Sequence, residues 1–234
     1  MANHSSQSNE WTLRHILSSS LSLSVSLSSS ASTISSAYLN SVKRYDTTTD
    51  TWEILSPMKY KRIYHVAITI ADKIYIIGGG CNGSINGILN SVEVYDTSTQ
   101  SWSKGPDMPV ALSGVAAVAV DKFIVVNGGL NSVGEVVSAS FILNTETSKW
   151  YVVQRPMMNF ARSTHTLIMR QSRLVVFGGQ GYERSKRRSG SGGSSRKLDA
   201  IEQVYFHDLL PPTMTMARQV DMAKKEEHTS SKNI

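Results

Sequence analysis

The chain holds a single cysteine, Cys81, among its 234 residues. No intramolecular disulfide and no Cys-rich zinc site can form, which fits a reducing compartment. It also lacks any apolar run close to the roughly 18 residues that cross a bilayer. Its most leucine-rich stretch, SSSLSLSVSLSSS at residues 18–30, places serine at every second position, so neither a membrane span nor the apolar segment of a secretory signal is expected. Arg14 among many serines points only weakly to an organellar transit peptide. A cytoplasmic chain, with the nucleus as second choice, is the default, and the Asn82-Gly83-Ser84 glycosylation pattern is then idle. What remains is ordinary: 40% hydrophobic residues are enough for a core, and the formal net charge is +6.

Repeats organise the rest. Glycine doublets stand at Gly78-Gly79, Gly128-Gly129 and Gly178-Gly179, fifty residues apart. Each closes an apolar run (IYIIGG, FIVVNGG, RLVVFGG) that follows a second run (HVAITI, VAAVAV, THTLIM) across a short turn, the pattern of an antiparallel hairpin. Next come SVKRYDTTTDTW, SVEVYDTSTQSW and FILNTETSKW, read as two further strands, with Trp52, Trp102 and Trp150 in the last of them. A proline with methionine close behind (Pro57, Pro106, Pro156) and, in two cases, an arginine (Arg62, Arg162) lead into the next unit.

Four short strands, a glycine doublet, a Tyr and a Trp at this period resemble the kelch repeat, in which each unit forms one four-stranded blade of a β-propeller. The doublet supplies positive φ where the backbone approaches a neighbour, and Tyr and Trp fill the space between blades. The fold class is therefore all-β, an incomplete or open propeller of about four four-stranded kelch blades. Residues 1–11 are expected to be a disordered N-terminus, residues 12–212 the propeller, in units of about 12–58, 59–108, 109–157 and 158–212, and residues 213–234 a charged flexible tail.

The serine-rich stretch is read as a decayed first blade: a shift of fifty lays Tyr45-Asp46 on Tyr95-Asp96, His15 on His65 and Ser28-Ser29-Ser30 on Gly78-Gly79-Gly80. A disordered serine tract and a gene-model error upstream of residue 38 are the alternatives. A true blade predicts a buried Trp52, whose removal costs nearly as much as that of Trp102. The last unit has Pro212 seven residues after Tyr205, where a Trp is expected, so its outer strand should be short or absent. Such an array needs polar capping at its ends; otherwise the chain is a fragment of a larger propeller, or two copies complete one ring.

The candidate contact residues lie in two places. The stretch QGYERSKRRSGSGGSSRKLD, residues 180–199, is inserted between two strands of the last unit and carries Arg184, Lys186, Arg187, Arg188, Arg196 and Lys197. The basic excess is thus confined to one Gly/Ser loop suited to an acidic protein partner or a localisation signal, and a nucleic-acid partner is not expected. The kelch resemblance makes such loops frequent contact sites and adds Tyr64, Ser163 and Thr164 at the strand entrances. His65 and His165 recur without Asp, Glu or Cys companions, which argues against a metal site, and the resemblance assigns Arg62 and Arg162 to packing between blades.

The functional reading is a non-catalytic protein-interaction module or scaffold without cofactor. One alternative is the substrate-recognition subunit of a ubiquitin ligase working with a separate adaptor. The other is an enzyme of the galactose oxidase kind, whose copper-binding set is not visible here.

Overall fold

The computed structural model describes residues 10–16, 21–28, 38–81, 84–154, 157–183, 194–197 and 201–210, with the backbone alone described for 10–16, 21–28, 182–183 and 194–197. Unit 2 sets the pattern. Val66–Ile70, Lys73–Ile77, Val92–Asp96 and Ser101–Lys104 pair sequentially and antiparallel, with Val66 opposite Ile77, Ile77 opposite Val92 and Tyr95 opposite Trp102. Unit 3 repeats it with Ala116–Val120, Phe123–Asn127, Ser140–Asn144 and Lys149–Val152. β-branched and aromatic residues fill the second and third strands because both of their faces are covered: Ile76 and Ile77 point to opposite sides and both are fully buried.

Alternation assigns each face to a neighbour. Ile74, Ile76 and Tyr95 meet Val42, Leu55 and Met58 of unit 1, whereas Tyr75, Ile77 and Val94 meet Leu112, Ile124 and Phe141 of unit 3. The next interface joins Phe123, Val125 and Ile142 to Leu167, Leu174 and Val176 of unit 4. Burial of each such side chain contributes about 1.5–3 kcal/mol, so these interfaces dominate the stability of the array. Trp102 Nε1 donates to Ser56 O of the preceding unit at 2.8 Å, and Trp150 Nε1 to Pro106 O at 2.9 Å. The array is all-β and, among the described residues, not closed, for no core cluster of theirs joins unit 1 to unit 4.

The blade sheet of unit 4 has three strands among the described residues, Thr166–Arg170, Arg173–Phe177 and Ile201–Tyr205. After the third of these the short 3-10 turn Phe206–Leu209 carries Phe206, Leu209 and Leu210 into the core. Unit 1 pairs Glu10–Ile16, Leu21–Ser28, Val42–Asp46 and Thr51–Leu55 as a four-stranded sheet.

Two expectations for unit 1 need correction. Leu21, not Leu23, stands opposite Asp46, where Lys73 stands opposite Asp96. The shift of fifty therefore fails upstream of the third strand, because the chain from Leu21 to Asp46 is two residues longer than the chain from Lys73 to Asp96. The displacement is even, so the Leu/Ser alternation keeps its register. The second correction concerns Trp52, which is 50% exposed although it stacks on Tyr45 at 5.0 Å as Trp102 does on Tyr95. Each inner tryptophan is covered by the unit before it, and no described unit precedes Trp52.

Candidate interaction surface

In an antiparallel blade the connection after the second strand and the connection between units fall at the same end. Backbone pairing knits them together. Ile63 and Gly80 exchange hydrogen bonds of 2.9 and 2.8 Å, Ser113 pairs with Leu130, and Ser163 and Gln180 exchange two bonds of 2.9 Å. The next residue in each unit, Tyr64, Gly114 or Thr164, is left-handed, with φ of 55°, 65° and 52°. Gly114 N donates to Tyr64 O at 2.9 Å, and Thr164 N to Gly114 O at 2.7 Å. One backbone strip thus runs across three units, and it fixes a conformation that costs a residue with a Cβ roughly 1–2 kcal/mol. Held this way, the Tyr64 side chain is 55% exposed.

A second row lies beside the first. Tyr60, Val110 and Phe160 occupy one position of the repeat and all are exposed. Sequence reasoning missed them, although the signal was there: each follows a buried methionine, Met58, Met108 or Met158, by two residues. The backbone below Tyr60 and Phe160 is held by buried carboxylates. Glu93 accepts from Lys59 N at 2.6 Å and from Tyr60 N at 3.2 Å, and Glu202 accepts from Asn159 N. Glu93 also takes Nε and Nη2 of Arg62 at 3.2 and 3.0 Å, and Glu202 pairs with Arg162. Arg62 further donates to Gly78 O and Ser91 O. Both arginines are buried; the side-chain bonds of Arg62 brace its own unit from within, while its backbone N donates to Leu39 O of unit 1 at 2.9 Å and so ties the two units together.

The basic insertion is more ordered at its stem than a loose loop would be. Gln180–Glu183 pairs with Ser194–Lys197, placing Gly181 opposite Arg196 and Gln180 opposite Lys197. Arg184, Lys186, Arg187 and Arg188 lie outside the described residues. Because Gln180 is also bonded to Ser163, the structure brings Ser163, Thr164 and the Arg196–Lys197 stem together, while Tyr64 sits two units away on the same strip. Lys59 and Lys61 add exposed positive charge beside Tyr60, with the Lys59 ammonium 5.4 Å from its ring centre.

The two histidines serve packing. Burial, and then the neighbouring Arg62 or Arg162, push His65 and His165 down to about 4. His165 Nε2 meets Asn127 Oδ1 of the preceding unit at 2.9 Å. Among the described residues no three His, Cys, Asp or Glu side chains gather as a metal site, and no helix is long and apolar enough to cross a membrane. Cys81 is a half-buried free thiol.

A family model described as the KLHDC2/KLHL20/DRC7 kelch-repeats domain matches residues 32–179. The chain belongs to the kelch-repeat family. Among curated proteins it is similar to Kelch-like protein 15 of Mus musculus and of Rattus norvegicus, 32% identical over 125 residues, which is 50% of this chain and 20% of either relative. The chain thus spans only a small part of the length of these curated relatives. The match ends at Gly179, before the basic insertion, so the stem at Arg196 and Lys197 is a feature of this chain outside the matched region.

Proposed function

We propose that this kelch array is a non-catalytic protein-interaction module whose contact surface is the rim carrying Tyr60, Tyr64, Val110 and Phe160. The observation that carries the reading is the hydrogen-bonded strip through Tyr64, Gly114 and Thr164, which holds the exposed Tyr64 side chain on a rigid backbone beside Tyr60 and Phe160. Preorganised aromatic side chains lose little entropy on binding and make good interface anchors. Lys59, Lys61, Arg196 and Lys197 at the same end favour a partner segment with acidic residues flanking an apolar one. The test is affinity capture with mass spectrometry, comparing the natural chain with a Tyr60→Ala/Tyr64→Ala/Phe160→Ala variant. Loss of the captured proteins with unchanged circular dichroism supports the rim, and an unchanged set removes it from consideration. Reversing Arg196 and Lys197 to glutamate should weaken capture in proportion to the acidity of the partner and more strongly at low salt.

A further inference from the structure

Among the described residues the two outermost units show unlike uncovered faces, and we infer that they are made for each other: the uncovered face of unit 4 binds the uncovered face of unit 1 in a second copy of the chain, head to tail. Unit 4 has the alternation of its predecessors, so Ile168, Phe177 and Ile201 stand where Ile68, Ile77 and Val92 stand in unit 2. Those three are buried against unit 3, whereas Ile168 and Phe177 are exposed and Ile201 is 66% exposed. The glycines report the same difference. A Cβ on Gly78 would lie 2.5 Å from Leu112 O of the next unit, and one on Gly128 2.4 Å from Arg162 O, but around Gly178 nothing comes within 4 Å.

At the other end Trp52 and Ile54 are 50% and 77% exposed on the outer strand of unit 1. The inner interfaces state what such a surface meets. Trp102 and Trp150 each pack on the preceding unit and donate to its backbone, while Trp52, among the described residues, has no such bond. A second copy's unit 4 offers Trp52 the same kind of sheet.

Charge fixes the pairing. In the interface of units 2 and 3, Tyr75 of the second strand hydrogen-bonds Thr145 in the turn that precedes the fourth strand of the next unit. By repeat position Tyr75 corresponds to Val175, and Thr145 to Thr47. Arg173, two residues before Val175 on the same face, and Arg170 are both exposed, and across a head-to-tail contact they meet the turn bounded by Asp46 and Asp50. A tail-to-tail contact would set the arginines of the two copies in one interface without acidic partners. The contact joins separate chains, so its assembly depends on concentration.

Light scattering after size exclusion, over a concentration series of the full chain, should show a mass rising from 25.7 kDa to a multiple of it, and added salt should lower the assembled fraction. Trp52→Asp and Ile201→Asp, each checked by circular dichroism, should each stay at the single-chain mass. Mixed together they retain one sound tail and one sound head, so a one-to-one complex of doubled mass should form only in the mixture. A natural chain that stays single throughout, an assembly that survives Trp52→Asp, or a mixture that forms no complex overturns the inference.

Discussion

Units 2 and 3 are built on one plan and filled with different chemistry. Where unit 2 has Lys59, Arg62, His65 and Glu93, unit 3 has Pro109, Leu112, Val115 and Phe141. The exchange is coordinated. Glu93 neutralises Arg62 and accepts the amide of Lys59, whereas Pro109 has no amide hydrogen to satisfy, and Leu112 and Phe141 are buried in the apolar interface with unit 2. Unit 4 returns to the polar solution with Asn159, Arg162, His165 and Glu202. Two buried ion pairs thus flank a unit that does without one, so the pair is not a requirement of the blade. What it adds is a fixed backbone under Tyr60 and Phe160, because each carboxylate binds the loop as well as the arginine.

The largest effect should come from breaking the set instead of replacing it. Glu93→Ala leaves the Arg62 guanidinium buried without its counter-ion and the Lys59 amide unsatisfied, which costs about 3–5 kcal/mol. Carrying the solution of unit 3 across whole, as Lys59→Pro/Arg62→Leu/Glu93→Phe, should fall within about 1–2 kcal/mol of the natural chain, since it removes charge, partner and donor together. Urea denaturation of both variants decides the matter. If the triple variant is as unstable as the single one, the two chemistries are not interchangeable.

This comparison also marks what could be read without a structure. The strands were legible because period, doublet and alternation agree. The coordinated exchange was present too, but it shows only when the units are laid over one another at four separated positions. A lone glutamate such as Glu93 in a strand reads as a solvent-facing residue, and its burial follows from an arginine 31 positions earlier. Of the rim, Tyr64 was singled out from its neighbours in related domains, yet its left-handed backbone had one sign in the sequence, a glycine at the equivalent position 114. Trp52 was misjudged for a different reason. A repeat pattern says what a residue packs against when a neighbour exists, and cannot say that the neighbour is there.

The two ends of the array give the next largest contrast. Gly78→Ala and Gly178→Ala introduce the same methyl at φ of 65° and 72°, and the left-handed strain alone costs about 1 kcal/mol. At Gly78 the new atom also runs into Leu112 O of the next unit, and a backbone shift across that interface should raise the total to about 3 kcal/mol. At dilutions where the chain is single, Gly178→Ala should stay near about 1 kcal/mol. Equal losses would mean that unit 4 is covered as unit 2 is.

Tryptophan removal should follow the same gradient. Trp102→Ala deletes a half-buried indole and its bond to Ser56 O, for about 2–3 kcal/mol, whereas Trp52→Ala should cost under about 1 kcal/mol in the single chain. Thermal unfolding of the pair is the measurement, and a Trp52 effect as large as that of Trp102 would restore the reading of Trp52 as a core residue.

The smallest effect is set by pH and returns to the units that differ. His65 and His165 are held neutral at about 4, against about 6.5 when unfolded, because burial and the adjacent arginines oppose a second positive charge. A folded value below the unfolded one means that the unfolded chain takes up protons first. Stability is therefore complete above about pH 7 and declines as the pH falls from 6.5 towards 4. Between pH 7 and 6 the two sites together should remove on the order of 1 kcal/mol. Unit 3 supplies the control, since Val115 occupies the same position without titrating. His65→Val should halve the slope of stability against pH in this range, and His65→Val/His165→Val should flatten it, while at neutral pH His165→Val loses its contact with Asn127 and costs more than His65→Val. Denaturant midpoints at closely spaced pH values read both effects, and a slope that survives in the double variant would assign it to groups other than the histidines that unit 3 lacks.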